Sequence, residues 1–463
     1  MKSKILVEEP IPYRVFQRDS DNRASIPFSL SILEAIQGRL EVRSSATSWK
    51  TVGIIERQIG QFSGFIESVP IGQHNLSARI VSEQADEVLA EILIGPIFVG
   101  DLWLLAGQSN MEGCGKLIDV DEPQPGVSCF YFGDRWDLAV EPLSWQLESD
   151  DPVHRGNTGN REQQIQEIRR NRVLGSGLGL AFGKHLLRET GIPVGLIMVA
   201  QGATSMAQWD PALAHLGGGS LYGSMLRVVQ AVGGRVKGCL WYQGESDTTS
   251  DEAPFYYDRF GNFVQSLRRD LNDSSLPFIY AQLGPVMITL GTVPAWPEES
   301  QWNRIQHEQL RMESELENMY LVPTIDAKLD DFIHLSTDSL REIGKRMAWA
   351  ALASAYDRPV AQTGPRLSRT VWNDDRTELL LDFSGINGAF RPVERLFGFL
   401  LVSGSIPLPL EAHLSEDNRR IVLRLETPVP ADCSLCHGSG LNPVINARDE
   451  LGFPLVVFGP IAV

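Results

Sequence analysis

The sequence predicts an α/β protein. Its centre should be a flavodoxin-like, three-layer α/β/α core on a five-stranded parallel sheet, with a β-rich, sandwich-like module on each side. Three observations lead there. The 463 residues exceed one domain of ~100–200 residues. From 99 to 358, short apolar strands alternate with helical patterns, as in a parallel sheet covered on both faces. On either side, residues 1–98 and 359–463 hold only short apolar or alternating runs split by turns, the pattern of β-rich accessory domains.

The flanking runs include Leu40-Glu-Val-Arg, Thr51-Val-Gly-Ile-Ile and Ser77-Ala-Arg-Ile-Val before the core. After it come Glu378-Leu-Leu-Leu-Asp-Phe and Arg420-Ile-Val-Leu-Arg-Leu. In the core, strands are expected at Leu102–Ala106, Gly195–Ala200, Gly238–Tyr242, Phe278–Gln282 and Met319–Ile325. Helices are expected at Gly177–Thr190, Ser220–Ala231, Tyr256–Leu271, Trp302–Glu317 and Thr337–Tyr356. Lys116–Asp151 reads as an insertion after the first strand, with nine acids against two basic residues. It is either a solvated loop with packed aromatics or a rim over a site, where Trp136 and Trp145 could stack on sugar rings.

Composition narrows the function. Hydrophobic residues make up 43% and charged residues 21%, ordinary for a folded chain. Lys plus Arg is 41 and Asp plus Glu is 58, a net charge of −17. An acidic chain is a poor partner for nucleic acid and is repelled by anionic membranes. No stretch approaches the ~18 apolar residues that span a bilayer, and the chain as it stands shows no leader peptide. A cytoplasmic location is expected, or a secreted or periplasmic one if a leader has been removed. The five cysteines are scattered and odd in number, which argues against a disulfide framework. The oligomeric state is left open.

In an open α/β sheet the ligand sits beyond the carboxyl ends of the strands. After the first strand comes Gly107-Gln-Ser-Asn-Met, and after the second Gln201-Gly-Ala-Thr. After the third comes Gln243-Gly-Glu-Ser-Asp, and after the fifth Asp326, then Asp330-Asp-Phe-Ile-His-Leu. Ser109 lies at a strand-to-loop turn, where a nucleophile's hydroxyl would be open to substrate. The same serine could simply cap the next helix. His334 has Asp331 three residues before it, placed to orient the imidazole; Asp330 could do the same. The backbone N–H groups of Ser109 and Gly202 and the side-chain amide of Gln243 are candidate donors to an oxyanion.

The segment from Val99-Gly-Asp-Leu-Trp to Gly107-Gln-Ser-Asn-Met-Glu-Gly resembles the nucleophile block of the sialate O-acetylesterase family. That family is a branch of the SGNH hydrolases, within the wider GDSL-type esterases. Further likenesses follow in the family's order: Pro193-Val-Gly-Leu-Ile with Gly202-Ala-Thr and Trp209, Trp241-Tyr-Gln-Gly-Glu-Ser-Asp, Pro277-Phe-Ile-Tyr-Ala-Gln-Leu-Gly-Pro, and Asp331-Phe-Ile-His-Leu. The resemblance implies an SGNH core over 99–358. It also implies a serine esterase that removes O-acetyl groups from a carbohydrate without metal or other cofactor. Ser109 would be the nucleophile, His334 the base and then acid, and Asp331 its orienter. Ser109, Gly202 and Gln243 would form the oxyanion hole. Gln108, Asn110, Glu245 and Trp209 match motif positions with less defined roles, and Glu245 reads as an acid fixing the loop. Ala203 stands where the family more often has Gly.

Two other functions stay open: an acyl hydrolase for lipid or thioester substrates on the same fold, and a catalytically silent glycan-binding protein. Trp136, Trp145, Trp209 and Trp241 favour sugar over an acyl chain. The acidic insertion should disfavour strongly anionic ligands. Cys433-Ser-Leu-Cys-His has the spacing of a haem attachment or zinc-knuckle motif and is expected to be chance, because no second cysteine pair lies nearby. Gly175-Ser-Gly-Leu-Gly lacks the Lys-Ser/Thr of a phosphate loop and reads as a helix entry.

Overall fold

A computed structural model describes residues 4–463 except 156–158, 289–295, 357 and 359–362. The expected domain boundary at 358/359 involves residue 359, which lies outside the described residues.

Seven strands form the central sheet: β1 (Val88–Gly107), β2 (Val127–Tyr131), β3 (Arg135–Leu138), β4 (Val194–Met198), β5 (Gly238–Tyr242), β6 (Phe278–Ala281) and β7 (Met319–Val322). Their order is β3-β2-β4-β1-β5-β6-β7. All pair in parallel except β3, which runs antiparallel to β2 at the edge. The five expected strands therefore keep the flavodoxin-like order, but the sheet is mixed and larger than five parallel strands. The two extra strands come from the Lys116–Asp151 segment. Val127–Tyr131 is buried along its whole length, and a turn through Gly133 and Asp134, both at positive φ, folds β3 back on it.

Helices cover both faces. They include α1 (Ser109–Glu112), α2 (Arg161–Asn171), α3 (Gly179–Thr190), α4 (Leu221–Ala231), α5 (Tyr256–Asp270), α6 (Glu299–Glu315) and α7 (Thr337–Ala355), with a further single turn at Pro152–Arg155. Trp103 on β1 packs edge-on against Phe182 of α3. Trp241 on β5 packs on Phe260 and Phe263 of α5. Gly238 pairs with Trp103 in the parallel register, so Trp241, three residues on, points to the other face. α3 packs with α7, and α5 with α6. The Ser220 and Ser336 side chains cap α4 and α7 by accepting backbone N–H groups. No helix among the described residues is long and apolar enough to cross a membrane.

The N-terminal strands have their own core, including Ile26, Leu30, Leu40, Ile80 and Val99. Arg23–Ser44 and Lys50–Pro70 form a long antiparallel pair, and Gly72–Val81 joins the first of these to β1. β1 then continues from this layer into the central sheet, so the expected 98/99 boundary falls inside one strand. Buried Asp101, on β1, accepts from Arg18 at 2.9 Å and from Gln17 at 2.9 Å, tying the two layers together.

After the core come two four-stranded sheets. The first holds Arg366–Trp372, Glu378–Ser384, Glu411–Leu414 and Ile421–Arg424. The second holds Phe399–Ser403, Ile406–Leu408, Cys433–His437 and Phe458–Ala462. They grip the core through polar contacts. Gln282 donates to the Val457 carbonyl at 2.9 Å and accepts the Val457 N–H at 3.0 Å. Asp326 is the buried partner of both Arg346 (2.7 Å) and Arg448 (2.9 Å). It braces this junction and takes no part in the site. Cys433 and Cys436 lie on one strand. At three residues apart they point to opposite faces, so they do not converge on one metal or haem. Gly179 opens α3, as a helix entry should.

Candidate active site

The carboxyl ends of β1, β4, β5 and the loop after β7 meet at one edge. Gly107 makes the turn that ends β1. Its φ is 131°, and a Cβ there would lie 2.2 Å from the Tyr242 carbonyl oxygen, so only glycine fits. The chain turns at once into α1, whose N-cap is Gln108 rather than Ser109. Ser109 is 8% exposed, and its hydroxyl hydrogen-bonds no described residue. As the first residue of a helix, its N–H has no intrahelical carbonyl to meet.

The tight turn Asp331–His334 follows β7. Asp331 Oδ2 and His334 Nδ1 are 2.7 Å apart. Asp331 Oδ1 accepts the backbone N–H groups of Ile333 at 2.8 Å and His334 at 2.7 Å. Burial pushes the Asp331 carboxyl up, but those N–H groups and the imidazole outweigh it and hold the pKa below the ordinary value. Asp330 is engaged elsewhere, accepting the Lys116 N–H at 3.0 Å. Of the two acids, Asp331 is the one that contacts the imidazole.

Asn110 joins these two parts. Its Oδ1 accepts the Leu335 N–H at 3.1 Å, and its Nδ2 donates to the Ile333 carbonyl at 3.4 Å. The residue after Ser109 thus clamps both neighbours of His334. Asn110 Nδ2 also donates to Glu245 Oε1 at 2.8 Å, which gives Glu245 its role as a loop-fixing acid. Gln108 is buried and accepts the Ser246 N–H at 3.3 Å, so it braces the same loop from the other side.

Glu245 is 1% exposed, and its second oxygen has no partner among the described residues. Burial raises its pKa from 4.5 to about 6, against the Asn110 hydrogen bond. A raised folded-state value means no penalty below pH 4.5, where both states are protonated. Stability is then lost as pH rises through about 6. Glu245→Gln keeps the acceptor for Asn110 and removes the charge. It should raise the melting temperature over wild type at pH 7.5 but not at pH 4, the difference amounting to ~2 kcal/mol. Melting curves at the two pH values check this; an equal shift at both would contradict it.

Gly202 lies beside Ser109: a Cβ on it would sit 3.5 Å from Ser109 Cβ. Its N–H donates to Glu112 Oε2 at 2.8 Å. Neighbouring Ala203 has a φ of 56°, in the left-handed region that favours glycine. That explains why Gly is the commoner residue in the family it resembles. Gln201 fixes the loop by donating its N–H to the Gly107 carbonyl at 3.0 Å.

The structure corrects the reading of Gln243. It is fully buried. Its Nε2 donates to the Thr204 carbonyl at 3.0 Å and to the Asp247 carboxylate. Both amide hydrogens are therefore in use, and none is left for an oxyanion. Swapping the amide oxygen and nitrogen would set an oxygen against two acceptors. Gln243 holds the glycine loop in place. Gln243→Ala should lower the melting temperature, because two buried acceptors lose a donor at about 1–3 kcal/mol each. Lost turnover with an unchanged melting temperature would restore the donor role.

The tryptophans are also corrected. Trp136, Trp209 and Trp241 are buried in the core. Trp209 donates to Thr204 Oγ1 at 3.0 Å and meets Trp241 edge-on. Trp145 carries the guanidiniums of Arg169 and Arg172 over its ring. The three buried ones offer no face to a sugar, whereas half-buried Trp145 lines a cavity with Glu112. The acidic insertion is largely neutralised too. Asp134 and Asp151 pair with Arg227, Asp121 with Lys184 and Glu148 with Arg169.

Sequence reasoning assigned no role to Glu112, although the motif contains it. It lies three residues after Ser109 on the same helix, and that i, i+3 spacing is the available signal. Among the described residues, no group of three or more His, Cys, Asp or Glu side chains could hold a metal ion.

The class this arrangement fits is an ester hydrolase, and comparison with known proteins identifies the family. Residues 99–353 match the family described as carbohydrate esterase, sialic acid-specific acetylesterase, and the chain belongs to it. The protein is a carboxylic ester hydrolase of the carbohydrate acetylesterase type. An Arabidopsis thaliana protein named as a probable carbohydrate esterase is 28% identical over 281 residues, which is 56% of this chain and 93% of that protein. The structure of a carbohydrate acetylesterase from Xanthomonas citri covers 98% of this chain and 99% of its own. It does so at 20% identity and a TM-score of 0.66, a shared fold from end to end.

Proposed function

We propose that the protein removes O-acetyl groups from carbohydrates through an acetyl-enzyme on Ser109. In this reading an SGNH core over 99–358 lies between sandwich-like accessory domains at 1–98 and 359–463. The observation that carries it is the Asn110 clamp. One side chain, adjacent to Ser109, holds both neighbours of a histidine whose Nδ1 is committed to Asp331. That leaves Nε2 as the nitrogen available to Ser109.

Ser109 Oγ attacks the acetyl carbonyl, and His334 Nε2 takes its proton. Asp331 fixes the tautomer and stabilises the imidazolium. The N–H groups of Ser109 and Gly202 meet the oxyanion. His334 then protonates the departing sugar oxygen. Water, activated by the same histidine, releases acetate and restores Ser109.

Acetate release from a panel of acetylated sialic acid, acetylated xylan and other acetylated glycans tests the substrate class. Release from at least one glycan by wild type, lost in Ser109→Ala, supports it. Hydrolysis of octanoate esters in preference to acetate esters would support a lipid or thioester hydrolase instead. No release from any ester would support a silent glycan-binding protein.

A further inference from the structure

The proposed oxyanion hole is not empty. Gly202 N–H, one of its two backbone donors, already donates to Glu112 Oε2 at 2.8 Å. A single N–H makes one well-aligned bond, so a substrate oxyanion and this carboxylate compete for it. Burial raises the Glu112 pKa; in its ionised form it also repels the oxyanion as a like charge.

We propose that Glu112 is a positioning residue that caps the oxyanion hole in the unliganded enzyme, and that substrate must displace it from Gly202. This rests on the assignment of Gly202 as an oxyanion donor. Two observations beyond the bond support it. Glu112 borders a cavity of about 490 Å³ that is also lined by Trp145, Gln146, Ile168 and Arg172, so the carboxylate has somewhere to go. Arg172, at that cavity, already acts electrostatically on Glu112. Besides the Gln146 side chain and His334, the carboxylate therefore has two attractors, the Gly202 N–H and the Arg172 guanidinium. The first satisfies a backbone donor that would otherwise face the site unpaired. The second receives the charge when the acyl group arrives.

The consequence is a substitution that improves binding. Glu112→Gln keeps a neutral acceptor for Gly202, and Glu112→Ala removes the acceptor. The probe is phenylboronic acid. Ser109 Oγ adds to its boron, His334 takes the hydroxyl proton, and the tetrahedral anion fills the oxyanion hole. Affinity should rise about tenfold in Glu112→Gln, with KM for p-nitrophenyl acetate falling in the same variant. Glu112→Ala, if it folds, should bind at least as tightly. Equal or weaker boronate binding in Glu112→Gln would overturn the proposal. If wild type itself fails to bind phenylboronic acid, or binds it equally well as Ser109→Ala, the assignment of the site fails and the cap with it.

Discussion

Ser109→Ala is expected to lower turnover of acetate esters by at least about 10⁴-fold while leaving the fold intact. Losses of this order accompany removal of a serine nucleophile whose partners stay in place. The structure says why stability should not change. The N-cap of α1 is Gln108, so the Ser109 side chain caps nothing. Its hydroxyl bonds no described residue, so alanine removes no contact, and alanine suits a helix. A melting curve and a p-nitrophenyl acetate assay on one preparation separate the outcomes. Turnover within tenfold of wild type would remove Ser109 from the chemistry. Lost turnover together with lost stability would make the effect structural.

Asp331→Asn should have the next largest effect, about 10²–10⁴-fold on kcat with little change in KM. The substitution is close to isosteric. Asn Oδ1 can still accept the N–H groups of Ile333 and His334, so the turn should persist. Its NH₂ group would face His334 Nδ1, which then becomes an acceptor. The imidazole proton moves to Nε2, the nitrogen that must take the proton from Ser109. The acid side of the stability profile should change as well. The Asp331 pKa is held below its ordinary value of 3.8. A depressed value gives stability that is present above the unfolded pKa and lost as pH falls through the folded one. Asp331→Asn loses that contribution at neutral pH and keeps nothing to lose in acid. The Asp331 side chain is 43% exposed, so the stability change should be small beside the change in kcat. Activity within tenfold of wild type would reduce the pair to a turn stabiliser.

The sheet was legible because buried parallel strands carry apolar runs that few other structures share. All five expected strands and all five expected helices are present, with ends displaced by up to about three residues, except that the first strand begins at Val88 rather than Leu102. β2 and β3 were missed because the acids around them made the whole segment look solvated. The run Val127-Ser-Cys-Phe-Tyr before Gly133-Asp134 is a β-prone stretch followed by turn residues, and it was the available clue. α2 was missed for the opposite reason. It buries no residue, so it shows no apolar face to read.

At the site, residue type was readable and the use of each atom was not. Asp331 meets His334, Gly202 lies beside Ser109, and Asn110 ties the two parts together. Gln243 comes with them, but its amide hydrogens are already taken by groups that the motif does not name. Tryptophan count was a poor guide to sugar binding, since an indole buried in the core and one on a rim read alike. Counting acids in Lys116–Asp151 likewise said nothing of their partners. Their partners Lys184, Arg227 and Arg169 lie outside the segment, and only folding brings them near.

The central claim is that Ser109 is the residue that carries the acyl group. Labelling with a fluorophosphonate, followed by mass mapping of the modified peptide, tests it most directly. The account predicts one adduct per chain, on Ser109, and none in Ser109→Ala. An adduct on another residue, or labelling that persists at wild-type level in Ser109→Ala, would contradict it.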